Sequence, residues 1–126
     1  MTTPEQAVRR FIAAWNAMDF DAIIDGLAQD IYYHNMPMEP VVGIDGVREY
    51  LRSAWTFSEC HWDLINIAVA NETVLTERVD AFVINGRSVV LPLMGVFEVH
   101  NGKITVWRDY FDLADYRTQL QAAAAE

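Results

Sequence analysis

Two Asn-Gly pairs, Asn85-Gly86 and Asn101-Gly102, each sit between runs rich in β-branched and aromatic residues. The tight turn of a two-residue hairpin needs positive φ at both central positions, which Asn-Gly meets at little cost. From His61 onward the chain is therefore expected to form antiparallel strands joined as a meander. The N-terminal half reads differently. Thr3, Pro4 and Gln6 compose a capping box with proline at the first helical position, and Val8, Phe11, Ile12 and Trp15 follow on one helical face. A second helix is expected from Asp19 or Asp21, with Phe20, Ile23, Ile24 and Leu27 at helical spacing and Gly26 weakening its regularity. Ile31 to Asn35 reads as a short extended stretch, and Met36 to Gly43, with Pro37 and Pro40, as a loop. Asp45 is expected to cap a third helix that presents Val47, Tyr50, Leu51 and Ala54. The Ala-rich tail after Tyr116 reads as partly helical. Helices first and strands afterwards predict an α+β domain, one unit over residues 1–126, in which a curved sheet wraps against segregated helices and encloses a cavity.

At 126 residues and 52% hydrophobic, the chain can bury an ordinary core without disulfides or metals. Cys60 is its only cysteine, so no internal disulfide can form. A formal net charge of −9 argues against nucleic acid or an anionic membrane as partner and favours a small neutral ligand. Neither a signal peptide nor an apolar run of membrane-spanning length is seen, which makes the cytoplasm the expected compartment.

Strand parity groups the chemistry. Arg78, Asp80 and Phe82 share one face of their strand, Trp107, Asp109 and Phe111 share another, Leu91, Leu93, Gly95 and Phe97 align, and Tyr33 aligns with Asn35. If these faces all line the concave side, the cavity is apolar except for Arg78, Asp80, Asp109, Tyr33 and Asn35, the composition of a binding site. Spacing alone fits a plain ion-pair network better than a catalytic one, and burial of the charges shifts the balance towards use. Phe97 and Trp107 are expected to be core packing. His34, His61 and His100 show no ligand spacing with one another or with Cys60, so no metal site is expected, and His34 should point away from Tyr33 and Asn35. Pro92 removes a ladder donor, so its strand should be bulged or unpaired on one side there.

Three segments carry a resemblance: Tyr33-His34-Asn35-Met36-Pro37, Glu77-Arg78-Val79-Asp80, and Ile104 to Leu113 with Trp107-Arg108-Asp109-Tyr110-Phe111 at its centre. In order and spacing, with Gly95-Val96-Phe97 between them, they resemble the limonene-1,2-epoxide hydrolases over nearly the whole chain. That resemblance implies a cone-shaped α+β fold shared with nuclear transport factor two and ketosteroid isomerase. It implies a strongly curved mixed sheet, a deep apolar pocket, a homodimer and no cofactor. Carried over by position, Asp80 is the general acid, Asp109 the general base and Arg78 the bridge between them, while Tyr33 and Asn35 help hold a water. The implied pocket wall is Ile12, Trp15, Phe82, Leu91, Leu93 and Phe111, and small residues around Ala54 and Ser58 depart from the family's bulky wall. The implied reaction converts a lipophilic cyclic or terpene-like epoxide, such as limonene-1,2-epoxide, into a vicinal diol by one-step water attack. An isomerase or cyclase of the same fold, or a non-catalytic binding module, are the competing readings.

Overall fold

The computed structural model describes residues 2–125. Helix α1 (Pro4–Asn16) starts with the expected capping box: Gln6 N–H donates to Thr3 Oγ1 at 3.1 Å, and Thr3 N–H donates to Gln6 Oε1 at 2.9 Å. It buries Val8, Phe11, Ile12 and Trp15. Helix α2 (Phe20–Asp25), capped by Asp19, is shorter than the apolar spacing predicts. Leu27 does not extend it but opens strand β1 (Leu27–Asn35), because Ile104 N–H donates to the Gly26 carbonyl at 2.9 Å and Leu27 pairs with Ile104. Sheet pairing overrides helical periodicity there.

Within the expected loop, Val41–Val42 form a two-residue strand β2 against Tyr32 and Tyr33. Gly43, at φ +88°, then turns the chain into helix α3 (Ile44–Ser53). Gly43 is the N-cap, not Asp45, whose carboxylate lies in the first turn where the helix dipole favours it. The four remaining strands are β3 (Glu59–Ala70), β4 (Thr73–Ile84), β5 (Arg87–His100) and β6 (Lys103–Tyr110). They form the expected meander. Both Asn-Gly turns have positive φ, with Asn85 at 52° and Gly86 at 75°, Asn101 at 51° and Gly102 at 77°. The β3–β4 hairpin turns through Asn71 and Glu72, with Asn71 at φ 57°.

The curved sheet has the order β2-β1-β6-β5-β4-β3, and β1 runs parallel to β6 while every other pairing is antiparallel. β6 pairs with β5 only from Met94 to His100, so the first half of β5 has a free outer edge. Helix α4 (Leu113–Ala124), capped by Asp112, lies beside that edge. The Gln119 side chain imitates a strand there: its Oε1 accepts from Val90 N–H at 2.7 Å and its Nε2 donates to the Val90 carbonyl at 2.8 Å. Pro92 has the same parity as Val90, so its missing N–H costs no ladder bond, and pairing with β4 continues through it. The strand is unpaired on one side at Pro92 and not bulged. Phe11 anchors the core with edge-on contacts to Trp15, Trp62, Phe97 and Trp107 at centroid distances of 5.0–6.4 Å. No helix among the described residues is long and apolar enough to cross a membrane.

Candidate active site

Register across the sheet sets the inner-face residues in rows. Val74, Phe97, Trp107 and Tyr33 form one row, and Thr76, Gly95, Asp109 and Asn35 the next. Beyond them lie Leu64, Arg78 and Leu93, then Trp62, Asp80 and Leu91. Arg78 on β4 and Asp109 on β6 are separated by β5, a span of about 10 Å for two strand spacings. The Arg78 side chain crosses β5 at Gly95. A Cβ there would overlap Arg78 Nη1 and lie 2.7 Å from Asp109 Oδ1.

The guanidinium is almost fully engaged. Nε donates to Asp80 Oδ1 at 3.1 Å and Nη2 to Asp80 Oδ2 at 2.9 Å, a bidentate fork. The same Nη2 reaches both oxygens of Asp109 at 3.3 Å. Nη1 donates to Thr76 Oγ1 at 3.0 Å, and the Thr76 hydroxyl donates to the Gly95 carbonyl at 3.1 Å. The cation lies 4.2 Å from the Trp62 ring centroid and 5.6 Å from that of Phe97, and these aromatic faces offset part of its lost hydration. Arg78 is 0% exposed, Asp80 3% and Asp109 4%. This is a buried network, unlike the surface pair Arg9–Glu5.

Burial disfavours every charge in this cluster, and the partners oppose it. For Arg78, burial pulls the pKa down, but the Asp109 and Asp80 charges outweigh it and the cation is held protonated. Burial pushes Asp80 up to about 6 against the opposing pull of Arg78, with the Asp109 charge adding to the rise. Burial likewise raises Asp109 against Arg78. Burial and the Asp109 charge hold the Tyr33 hydroxyl well above its ordinary value, so it stays protonated. The Tyr33 hydroxyl oxygen accepts from Asn35 Nδ2 at 3.0 Å while the ring stacks on Trp107 at 3.9 Å. Burial pushes the Cys60 thiol up to about 12, which leaves it inert as a nucleophile.

A cavity of about 330 Å³ opens above the carboxyls. Asp80, Asp109, Tyr33 and Asn35 line it, as do Trp15, Phe82, Leu91, Leu93 and Phe111. Two expected members lie elsewhere. Arg78 sits beneath the carboxyls and does not reach the cavity surface, and Ile12 belongs to the core. Trp15, stacked on Trp62 at 4.8 Å, is the part of α1 that reaches the cavity. Trp107 lines the cavity as well as the core, whereas Phe97 is core alone. Of the two small positions, Ala54 lines the cavity and Ser58 does not, its N–H donating instead to the Val83 carbonyl at 2.8 Å.

Sequence reasoning missed part of the wall: Tyr50 and Leu51 on α3, Phe57 on the loop after it, and Tyr116 and Leu120 on α4. The i, i+4 spacing of Tyr116 and Leu120 was the available signal. Thr76 and Gly95 were also missed as partners of Arg78. His34 turns away as expected, its Nε2 meeting the Met38 carbonyl at 2.7 Å. Among the described residues no group of three or more His, Cys, Asp or Glu side chains is arranged to hold a metal ion.

The family model of the limonene-1,2-epoxide hydrolase catalytic domain matches residues 2–122. The chain is 36% identical to epoxide hydrolase EphG of Mycobacterium tuberculosis over 109 residues, covering 86% of this chain and 73% of that protein. The solved structure of an LEH-like epoxide hydrolase from M. tuberculosis superposes with a TM-score of 0.83 at 33% identity, covering 97% of this chain and 92% of the other. A putative polyketide cyclase from Pseudomonas putida, at 22% identity and TM-score 0.79, covers 94% of this chain and 98% of its own and shares the fold alone.

Proposed function

The chain belongs to the limonene-1,2-epoxide hydrolase family, and from that premise we propose a one-step, cofactor-free opening of an epoxide by water. Tyr33 and Asn35 hold the water along the attack line. Asp109 takes a proton from it as its oxygen bonds to a ring carbon. The C–O bond of the strained ring breaks, and Asp80 gives its proton to the departing oxygen. The product is a vicinal diol, inverted at the attacked carbon. Negative charge moves from Asp109 to Asp80 along Arg78, and return of a proton from Asp109 to Asp80 resets the site.

The observation that carries this reading is Arg78 Nη2, which donates to both carboxyls from beneath the floor of an apolar cavity. Two carboxyls, one shared proton and one guanidinium sum to zero charge, so the pair titrates as a unit. Burial raises both Asp80 and Asp109, so the pair keeps one proton more readily than exposed aspartates would, and the family resemblance decides which carboxyl is acid and which base. Substrate entry removes further water and strengthens that tendency. An isomerase, moving a proton on carbon with one carboxyl, has no use for such a bridge. The apolar wall of Trp15, Phe82, Leu91 and Leu93 suits an uncharged cyclic or terpene-like epoxide such as limonene-1,2-epoxide. A second copy of the chain is assigned to the opposite face of the sheet, where Leu75, Val90, Met94 and Tyr110 are exposed.

The test is a single turnover with enzyme in excess in heavy-oxygen water, preceded by diol assays against a panel of cyclic epoxides. Direct attack puts the solvent oxygen into the diol in the first turnover. Unlabelled diol with label in Asp80 or Asp109 would overturn the mechanism. No diol from any epoxide would overturn the function.

A further inference from the structure

Among the described residues four polar side chains are buried: Thr76, Arg78, Asp80 and Asp109. The proposed chemistry employs three of them. Thr76 neither lines the cavity nor hydrogen-bonds a carboxyl, yet it is fully buried beside the guanidinium on the same face of β4. We propose that Thr76 is a positioning residue that fixes the rotation of the Arg78 guanidinium, within a gap that Gly95 keeps open, so that one cation serves both carboxyls.

Asp80 is gripped by two nitrogens at 3.1 and 2.9 Å, while Asp109 is held by Nη2 alone at 3.3 Å to each oxygen. The longer pair is the weaker one. A guanidinium free to pivot would keep the bidentate fork with Asp80 and give up Asp109. The contact at 3.0 Å from Nη1 to Thr76 resists that pivot from the far side of the group.

The polarity of the anchor is itself fixed. The Thr76 hydroxyl gives its hydrogen to the Gly95 carbonyl at 3.1 Å, so a lone pair is left for Nη1. A carboxylate at this position would compete with Asp80 and Asp109 for the cation. An aliphatic residue would leave an arginine N–H unpaired in a dry site. Gly95 supplies the complementary half: any Cβ there would overlap Nη1 and lie 3.0 Å from Thr76 Oγ1, driving cation and anchor apart.

The inference rests on the proposed acid–base reaction for its kinetic readout only. Thr76→Val keeps volume and β-branching and removes the hydroxyl, whereas Thr76→Ser keeps the hydroxyl. In carboxyl-labelled protein without substrate, Thr76→Val should raise the Asp109 titration and weaken its coupling to Asp80, and Thr76→Ser should titrate as wild type. With a cyclic epoxide, kcat of Thr76→Val should fall about ten- to hundredfold, the scale of a misplaced catalytic group, with KM changed less than about twofold and Thr76→Ser close to wild type. Should Thr76→Val fail to fold, Thr76→Ala against Thr76→Ser makes the same comparison. A folded variant lacking the hydroxyl, with unchanged carboxyl titrations and unchanged kcat, overturns the positioning role. Because the titrations need no turnover, they decide the positioning role even if no epoxide is hydrolysed, an outcome that would sink the reaction and leave this arm standing.

Discussion

Along β4 successive residues enter opposite environments. Thr76, Arg78 and Asp80 turn inward and are buried, while Leu75, Glu77 and Val79 face out. The polar group is inside, and the outer face of β4 and its neighbours carries exposed apolar side chains: Leu75 is 42% exposed, Val90 41%, Met94 49% and Tyr110 45%. Two-faced sheets ordinarily divide the other way. Inside, charge persists because every ion has a partner and the cluster is neutral with one proton, so removing one member costs more than the cluster contributes. Outside, the apolar patch is where the proposed second copy of the chain would pack. One face concentrates paired charge and the other apolar surface.

The sharpest break of the inner face is Asp80→Asn or Asp109→Asn, which keeps shape and removes a proton-transfer partner. Turnover should fall by about 10²–10⁴-fold, the range for loss of general acid–base catalysis. Diol formation and thermal melting measured together decide it, and a folded variant with near-native turnover would remove that Asp from the mechanism. Arg78→Lys comes next. An ammonium cannot fork to two carboxyls, so activity should drop about a hundredfold across the pH range, while the retained positive charge limits the loss of stability. Comparable rates for Arg78→Lys and wild type would reject the bridge.

A gentler probe is pH. Asp80 has a folded pKa of about 6 against an ordinary 3.8, so it favours the folded state when protonated. Its contribution is present in full below about 4 and is lost as pH rises through about 6. Thermal melts of wild type and Asp80→Asn across that window should diverge, with wild type losing stability relative to the variant as pH rises. Parallel curves would show that Asp80 does not titrate there. The smallest catalytic effect belongs to the outer face. Met94→Lys should dissociate a second copy in sedimentation experiments while turnover changes less than about twofold, since the charge lies across the sheet from the cavity. An unchanged assembly state would move the interface off this face.

Parity along single strands made much of the site legible. It grouped Arg78 with Asp80, Trp107 with Asp109, and Tyr33 with Asn35, because alternation is a local property of extended chain. What parity could not show was which strands are neighbours. Gly95 was visible as a glycine inside a strand, yet its purpose appears only once β5 is known to separate β4 from β6. Leu27 reads as helical because a helical stripe and a strand start look alike until Ile104 arrives to pair. Asp45 was a plausible cap that Gly43 displaced by supplying a positive φ no aspartate adopts as cheaply. Tyr50, Tyr116 and Leu120 lie on helices whose apolar faces read as core, and only packing distinguishes a core from a cavity wall.

The parallel pairing of β1 with β6 has a consequence for how the molecule comes into being. Tyr33 and Asn35 meet Trp107 and Asp109 directly across that pairing, 74 positions later in the chain. On the ribosome Tyr33 and Asn35 emerge well before β6, the strand they pair with. Non-local parallel contacts of this kind form late and slowly compared with hairpins. The meander β3–β6 can zip up through its local turns first, and the N-terminal strand then docks onto it. Asp80, Arg78 and Asp109 thus come from one folding unit and Tyr33 and Asn35 from another, so docking of β1 is the moment at which the polar cluster of the cavity is completed.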